Sequence, residues 1–385
     1  SESDVGYDAY VNSWIQTREA SSERQALREL FEEYVPPSLD YTRKNFKRIT
    51  TVTDFQMVVS LCHLMEITLN AKHIPTGSEK DVYEVFFVFC AIWAIGGSTF
   101  KDQLVDYRDQ FDKWWRMEFC AVDFPEEGTV FDYYLEPKSR EFVPWDTLVP
   151  DYEHNTEIAV EKQQVVTSEV FRIQWLMDQL FRAGKPVLLV GGPGVGKTLM
   201  VKERLKALPD DFMFSCMSLN YYTDTAELQL IMEQPLEKKA GRNFGPPGNR
   251  KLIYFVDDLN MPQIDVYGTQ APITLLRQHV DYGHWFDRTK MTLKEVQNVQ
   301  YVACMNPKAG SFKVNPRLQR HFVTFSVNPL NVTSLRKIYS AFINGHFHEG
   351  SFAPSVKECT EGLMNAMLAL HQKVGTTFLP TAIKF

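Results

Sequence analysis

Eight consecutive residues, Gly191-Gly192-Pro193-Gly194-Val195-Gly196-Lys197-Thr198, fit the spacing G-x-x-x-x-G-K-[ST]. Glycines at these places let successive backbone N–H groups turn inward around an anion. A helix that starts at the end of the loop adds partial positive charge from its N-terminus. In such a loop the lysine reaches the β- and γ-phosphates of a nucleotide, and the threonine hydroxyl binds Mg²⁺. A bare glycine turn between core elements is the competing reading. The flanks argue against it, because the apolar run Pro186-Val187-Leu188-Leu189-Val190 precedes the loop as a buried strand. Val201, Leu205 and Leu208 follow at helical spacing.

A second run, Leu252-Ile253-Tyr254-Phe255-Val256, ends in the two carboxylates Asp257 and Asp258. A strand that delivers an acid at its C-terminal end, some way after a phosphate loop, suits a Mg²⁺ site in an open α/β sheet. Any buried strand can end in Asp, so the reading rests on the phosphate loop beside it. Val299 to Met305 forms a further strand ending in Asn306, and Val314 to His321 a short helix with Arg317 and Arg320. Arg320 is followed by a strand, Phe322 to Val327.

Helical and strand patterns divide the chain. Residues 1–120 read as helical, with Tyr10, Val11, Trp14 and Ile15 and then Leu27, Leu30, Phe31 and Tyr34 in register until Pro36-Pro37 stops the pattern. Thr53 to Leu69, Asp81 to Ile95 and Lys101 to Phe119 are further helices, the second apolar nearly all round and therefore central. Residues 121–164 hold a hairpin around Glu136-Pro137-Lys138-Ser139 and a polar linker. Residues 165–329 alternate helix and strand, opening on a helix that Val166-Thr167-Ser168 caps. They include strand Phe212 to Leu219, helices Asp224 to Met232 and Ala271 to Val280, and a small hairpin around Arg288-Thr289-Lys290. Pro235 to Lys251, rich in Gly and Pro with five basic residues, reads as a solvated loop. Residues 330–385 return to helical patterns. The fold class is α/β, a five-stranded parallel sheet flanked by helices with helical subdomains before and after it.

Composition narrows the function. The 385 residues are 44% hydrophobic and 23% charged, with a net charge of -7, an ordinary globular balance that argues against a nucleic-acid-binding body. Six scattered cysteines form no C-x-x-C pair and read as reduced thiols of a cytosolic protein. The longest apolar run, Val85 to Ile95, falls short of the ~20 residues of a membrane span, so no membrane partner is expected. The nine histidines show no zinc spacing. The abrupt end at Ile383-Lys384-Phe385 reads as a segment of something longer.

The order phosphate loop, Asp-Asp strand end, polar strand tip and arginine-bearing helix resembles an AAA+ ATPase module. Longer stretches sharpen this. Asn220-Tyr221-Tyr222-Thr223, Gly245-Pro246-Pro247-Gly248, Asp257-Asp258-Leu259-Asn260-Met261-Pro262, Asp281-Tyr282-Gly283-His284-Trp285 and Cys304-Met305-Asn306-Pro307 resemble the third AAA+ module of an axonemal dynein heavy chain. The resemblance implies a helical small subdomain of the preceding module in residues 1–120, the nucleotide-binding large subdomain in 165–329 and the start of the next small subdomain in 330–385. It implies ATP or ADP with Mg²⁺ as ligands. It gives adenine contacts to the backbone of Val166 and Thr167, the phosphates to Gly191–Thr198, the metal to Thr198 and to Asp257, the latter directly or through a water, and the γ-phosphate sensor to Asn306. Arg320, with Arg317 as second choice, takes the place of an arginine finger for the neighbouring module's nucleotide. Implied partners are neighbouring AAA+ modules of the same heavy chain, other dynein subunits, and microtubules through other parts of the motor. The implied setting is the cytoskeleton of a cilium or flagellum.

Two departures bear on hydrolysis. Asp258 stands where the catalytic base is usually Glu, and the second sensor arginine of the small subdomain is expected beyond Phe385. The chain is therefore read as an ATPase module with slow or gated turnover, or as a structural module that retains nucleotide. A P-loop enzyme acting on a small acceptor is the third alternative, without an acceptor-binding constellation in its favour.

Overall fold

A computed structural model describes residues 6–70, 74, 75, 77–101, 105–155, 157, 163–308, 313–349 and 352–378. The chain forms two compact units, residues 1–144 with 173–329, and residues 145–172 with 330–385. The division falls inside the helix Ser168–Arg182, between Arg172 and Ile173.

The first unit opens with helices α1 (Asp8–Gln16), α2 (Ser21–Asn45), α3 (Asp54–Thr68), α4 (Lys80–Ala91) and α5 (Tyr107–Glu118). Side-chain caps fix two of the starts: Thr53 accepts from the Gln56 N–H, and Asp106 from the N–H groups of Arg108 and Asp109. Pro36 and Pro37 do not end α2, which runs on to Asn45. Leu30, Phe31, Tyr34 and Val35 before the prolines, and Ser38, Leu39 and Thr42 after them, are all buried, and this packing outweighs the lost N–H donors. Nor does α4 continue unchanged to Ile95. It widens into a π-turn at Ile92–Gly96, where a Cβ on Gly96 would stand 2.7 Å from Phe131 and 2.9 Å from Phe111. A hairpin of β1 (Tyr133–Leu135) and β2 (Phe142–Pro144) closes this part.

The sheet of the same unit is built from β3 (Val187–Val190), β4 (Phe212–Ser218), β7 (Lys251–Asp257), β10 (Val299–Met305) and β11 (Val323–Ser326). All neighbours are parallel, in the spatial order β11-β3-β10-β7-β4. β3 is buried along its whole length, which is why its sequence is uniformly apolar. Residues 235–251 are not simply a loop. Their two short strands, β5 (Glu237–Lys238) and β6 (Asn243–Gly245), join β8 (His284–Phe286) and β9 (Leu293–Val296) in a four-stranded sheet. The helix at the division is α6 (Ser168–Arg182). Helices α7 (Lys197–Lys206), α8 (Thr225–Glu233), α9 (Ala271–Tyr282) and α10 (Pro316–Gln319) follow it in the first unit.

The helical part grips the sheet at its β11 edge. Gln56 Nε2 donates to Phe322 O (2.9 Å) and Thr324 Oγ1 (3.0 Å), and the Ser326 N–H donates to Gly97 O at 2.7 Å. Trp93 meets Phe325 edge-on at 6.1 Å. The sheet edge is thus covered rather than exposed.

In the second unit Asn331 caps α11 (Val332–Glu349), accepting from the Ser334 N–H at 2.7 Å. Helices α12 (Pro354–Glu358) and α13 (Thr360–Thr377) follow. Glu169 accepts hydrogen bonds from Asn331 Nδ2 (2.8 Å) and Ser334 Oγ.

Candidate functional site

The parallel register brings the C-terminal ends of three strands together. Met305 lies opposite Val190, and Ala303 opposite Val256, so the segments after β3, β7 and β10 leave the sheet at one edge. This is where open α/β sheets bind ligands.

The glycine loop joins β3 to α7. Gly191 donates its N–H to Met305 O at 3.2 Å, and a Cβ there would stand 2.4 Å from Val327 O. Gly196 has φ +85° immediately before the first residue of α7, a conformation other residues adopt at a cost. The Lys197 ammonium donates to the carbonyls of Gly191 (2.9 Å) and Gly192 (2.7 Å), so its charge is held over the loop. Burial lowers its pKa, while Cys304, Asp257 and Asp258 act in the opposite direction.

Thr198 Oγ1 donates to Asp257 Oδ2 at 2.8 Å, across 59 residues of sequence. A hydroxyl and a carboxylate oxygen side by side are the hard donors Mg²⁺ prefers. Among the described residues no group of three or more His, Cys, Asp or Glu is placed to hold a metal ion. A nucleotide-bound Mg²⁺ does not require one, because phosphates and water complete its octahedron. The residues therefore fit the ion the sequence implies.

Asp258 has φ +55°, a left-handed conformation that Asp adopts more readily than most residues. Burial, and secondarily the adjacent Asp257 carboxylate, raise its pKa, and Lys197 opposes them. A raised pKa makes a carboxylate a better proton acceptor. The carbonyl of Asp258 accepts from the Met261 N–H at 3.0 Å, closing a tight turn over residues 258–261.

Asn306 follows β10 directly. Its Oδ1 accepts from the Lys308 N–H at 3.1 Å, and its main-chain carbonyl accepts from Asn260 Nδ2 at 2.8 Å. Asn260 is a site residue to which sequence reasoning assigns no role. Its signals are its place two residues after Asp258 and its membership of the stretch Asp257–Pro262 that carries the family resemblance.

Arg320 lies beyond this edge, at the end of α10 before β11. Its Nη2 is 3.3 Å from Asp281 Oδ1, which also lies 2.7 Å from His321 Nε2. Arg317 is exposed, and its guanidinium has no partner among the described residues. Val166 and Thr167 belong to the second unit. Thr167 is buried, its carbonyl accepts from the Phe171 N–H at 2.8 Å and its Oγ1 from the Val170 N–H at 3.4 Å, so it caps the helix that follows.

Comparison with known proteins decides the family. A profile described as "P-loop containing dynein motor region" matches residues 152–330, and one described as "Dynein heavy chain AAA lid domain" matches residues 27–147. The chain is 49% identical over 383 residues to human "Dynein axonemal heavy chain 9", covering 99% of the chain and 8% of that relative.

The chain belongs to the dynein heavy-chain family.

An "AAA+ lid domain" profile matches residues 363–385 of this dynein segment. Similarity extends to "Dynein beta chain, ciliary" of Tripneustes gratilla, 48% identical over all of the chain and 9% of the relative. It also reaches "Dynein alpha chain, flagellar outer arm" of Chlamydomonas reinhardtii, 43% identical over 93% of the chain and 8% of the relative. The segment thus spans less than a tenth of the length of the dynein chains it matches. Its α/β part is an AAA+ P-loop domain, with the nucleotide-binding character that fold carries.

Proposed function

We propose that this segment is the third AAA+ module of an axonemal dynein heavy chain, together with the helical end of the second, and that it binds MgATP or MgADP at the phosphate loop. Residues 1–120 close the preceding module, 121–164 are hairpin and linker, 165–329 form the nucleotide-binding subdomain and 330–385 begin the next small subdomain. The module regulates a microtubule-based motor of cilia or flagella. It meets neighbouring modules of its own chain directly and microtubules through other parts of the motor.

The observation that carries the reading is the Thr198–Asp257 hydrogen bond at 2.8 Å beside a lysine held on the loop carbonyls. Those two oxygen donors would hold Mg²⁺, Asp257 directly or through a water, and the ion would neutralise charge developing on the phosphates. Lys197 and the loop N–H groups bind and orient the phosphates. Asp258 accepts the proton of the attacking water, Asn306 contacts the γ-phosphate, and the backbone of Val166 and Thr167 is assigned to the adenine. Arg320, with Arg317 as the alternative, serves the preceding module's nucleotide.

A second reading, retention of nucleotide without turnover, is favoured by one residue, Asp258, whose side chain is one methylene shorter than the usual base. Magnesium dependence tests the primary reading. Asp257→Asn in the complete motor should abolish the Mg²⁺ dependence of nucleotide affinity at this site, and an unchanged dependence would contradict it.

A further inference from the structure

Asn260 is 2% exposed, and it is held in an unusual way. Its Nδ2 donates to the main-chain carbonyl of Asn306 at 2.8 Å, while its Oδ1 is buried and has no hydrogen-bond partner among the described residues. A buried amide with an unmet oxygen costs more than an apolar side chain of similar size at the same place. Packing therefore does not account for asparagine here. The bond to Asn306 does, and the acceptor on Asn306 fixes which end of the amide faces it.

That bond connects two parts of the site. Asn260 belongs to the turn that begins at Asp258 and closes through the Met261 N–H. The next residue back, Leu259, donates its N–H to Cys304 O at 3.0 Å, so the turn is fixed to the end of β10 at two points. Asn306 in turn spends its Oδ1 on the Lys308 N–H, which leaves Nδ2 as the side chain's free donor.

We propose that Asn260 is a positioning residue that locks the carboxylate-bearing turn to the γ-phosphate-reading loop, so that the two are placed as one body. This rests on the nucleotide-site reading above. Without the lock, Asn306 loses its fixed height over the edge of the sheet, and the contact that distinguishes ATP from ADP weakens. Contacts to the phosphates made by the glycine-loop N–H groups and by Lys197 are untouched.

The test is a pair of equilibrium titrations with MgADP and with Mg-ATPγS. They use the complete heavy chain with the phosphate-loop lysines of its other modules replaced by alanine, so that this site alone reports. Asn260→Ala should weaken ATPγS binding by roughly tenfold, the scale of one lost hydrogen bond, and leave ADP binding within about twofold. Asn260→Ser, whose hydroxyl is too short to reach Asn306 but keeps a polar group in place, should show the same split. Equal weakening of both nucleotides in the variants, as loss of folding would give, or no weakening of either, would overturn the proposal. Lys197→Ala in the same background separates the two claims. Binding that survives it refutes the nucleotide-site reading and this inference with it. Binding lost with Lys197 upholds the site, and the difference between ATPγS and ADP in the Asn260 variants then decides the lock alone.

Discussion

At the residue scale the decisive position is Asp258. Its side chain is one methylene shorter than the usual base, and ~1 Å of misplacement of an attacking water can cost about 100-fold in rate. Its backbone explains the residue type in another way: at φ +55° a short side chain with a local hydrogen-bonding group is favoured. We expect Asp258→Glu in the complete motor to leave nucleotide affinity unchanged and not to lower turnover at this site. Site-resolved single-turnover hydrolysis measures it, and a clear loss would show that Asp258 is already the fitted base. Most of the site's residues are legible from types and spacing, because phosphate binding constrains a contiguous loop. Asn260 is not, since its role depends on a carbonyl 46 residues away, and nothing in the local sequence announces that neighbour. The Asp281 anchor of Arg320 is hidden for the same reason, 39 residues away.

At the element scale, helix α9 carries a pH response. His279 is buried, with Nε2 3.3 Å from Val296 O and Nδ1 2.7 Å from the Tyr301 hydroxyl. Burial pulls its pKa from 6.5 to about 4, the bond to Val296 and the nearby His284 being smaller influences. The unfolded chain therefore binds a proton that the folded chain refuses. Stability from this group is complete above pH 6.5 and is lost as pH falls toward 4. We expect roughly 1 kcal/mol to disappear between about pH 7 and 5.5, at ~1.36 kcal/mol per pKa unit. Denaturant midpoints of the wild type and His279→Gln should converge as pH falls, and parallel curves would contradict the assignment. β3 and the centre of β7 are readable because burial on both faces makes Val187–Val190 and Leu252–Val256 continuously apolar. Two features are not. Pro36 and Pro37 signal a stop in isolation, yet the buried face on either side carries α2 through them. Glu237–Lys238 and Asn243–Gly245 are too short and polar to show a strand period, and exist through pairing with each other and with Leu293–Val296.

At the scale of the whole molecule, the helical residues 1–144 pack with the sheet as one compact unit, pinned by Gln56, Gly97 and Trp93 on β11. With the module assignment proposed above, this unit would join the end of one module to the start of the next. Arg320, exposed and tethered to Asp281 at 3.3 Å, is proposed to serve the preceding module's site, and the finger for the Lys197 site is proposed to come from the module that follows. An arginine finger typically supplies about 10³- to 10⁵-fold in rate, or roughly 4–7 kcal/mol of barrier. Residues 1–385 alone are therefore expected to bind nucleotide and hydrolyse it far more slowly than the complete motor at the same site. Comparable single-turnover rates would remove the case for a finger in trans.

The most direct measurement of the central claim, Mg-nucleotide binding at the phosphate loop, is equilibrium titration of wild type and Lys197→Ala with a fluorescent ATP analogue. Lys197 reaches the loop carbonyls of Gly191 and Gly192, and its contact with phosphate is charge-assisted, worth roughly 1.5–3 kcal/mol. Affinity about 10- to 100-fold weaker is expected in the variant. Equal affinities would show that nucleotide does not bind at this loop.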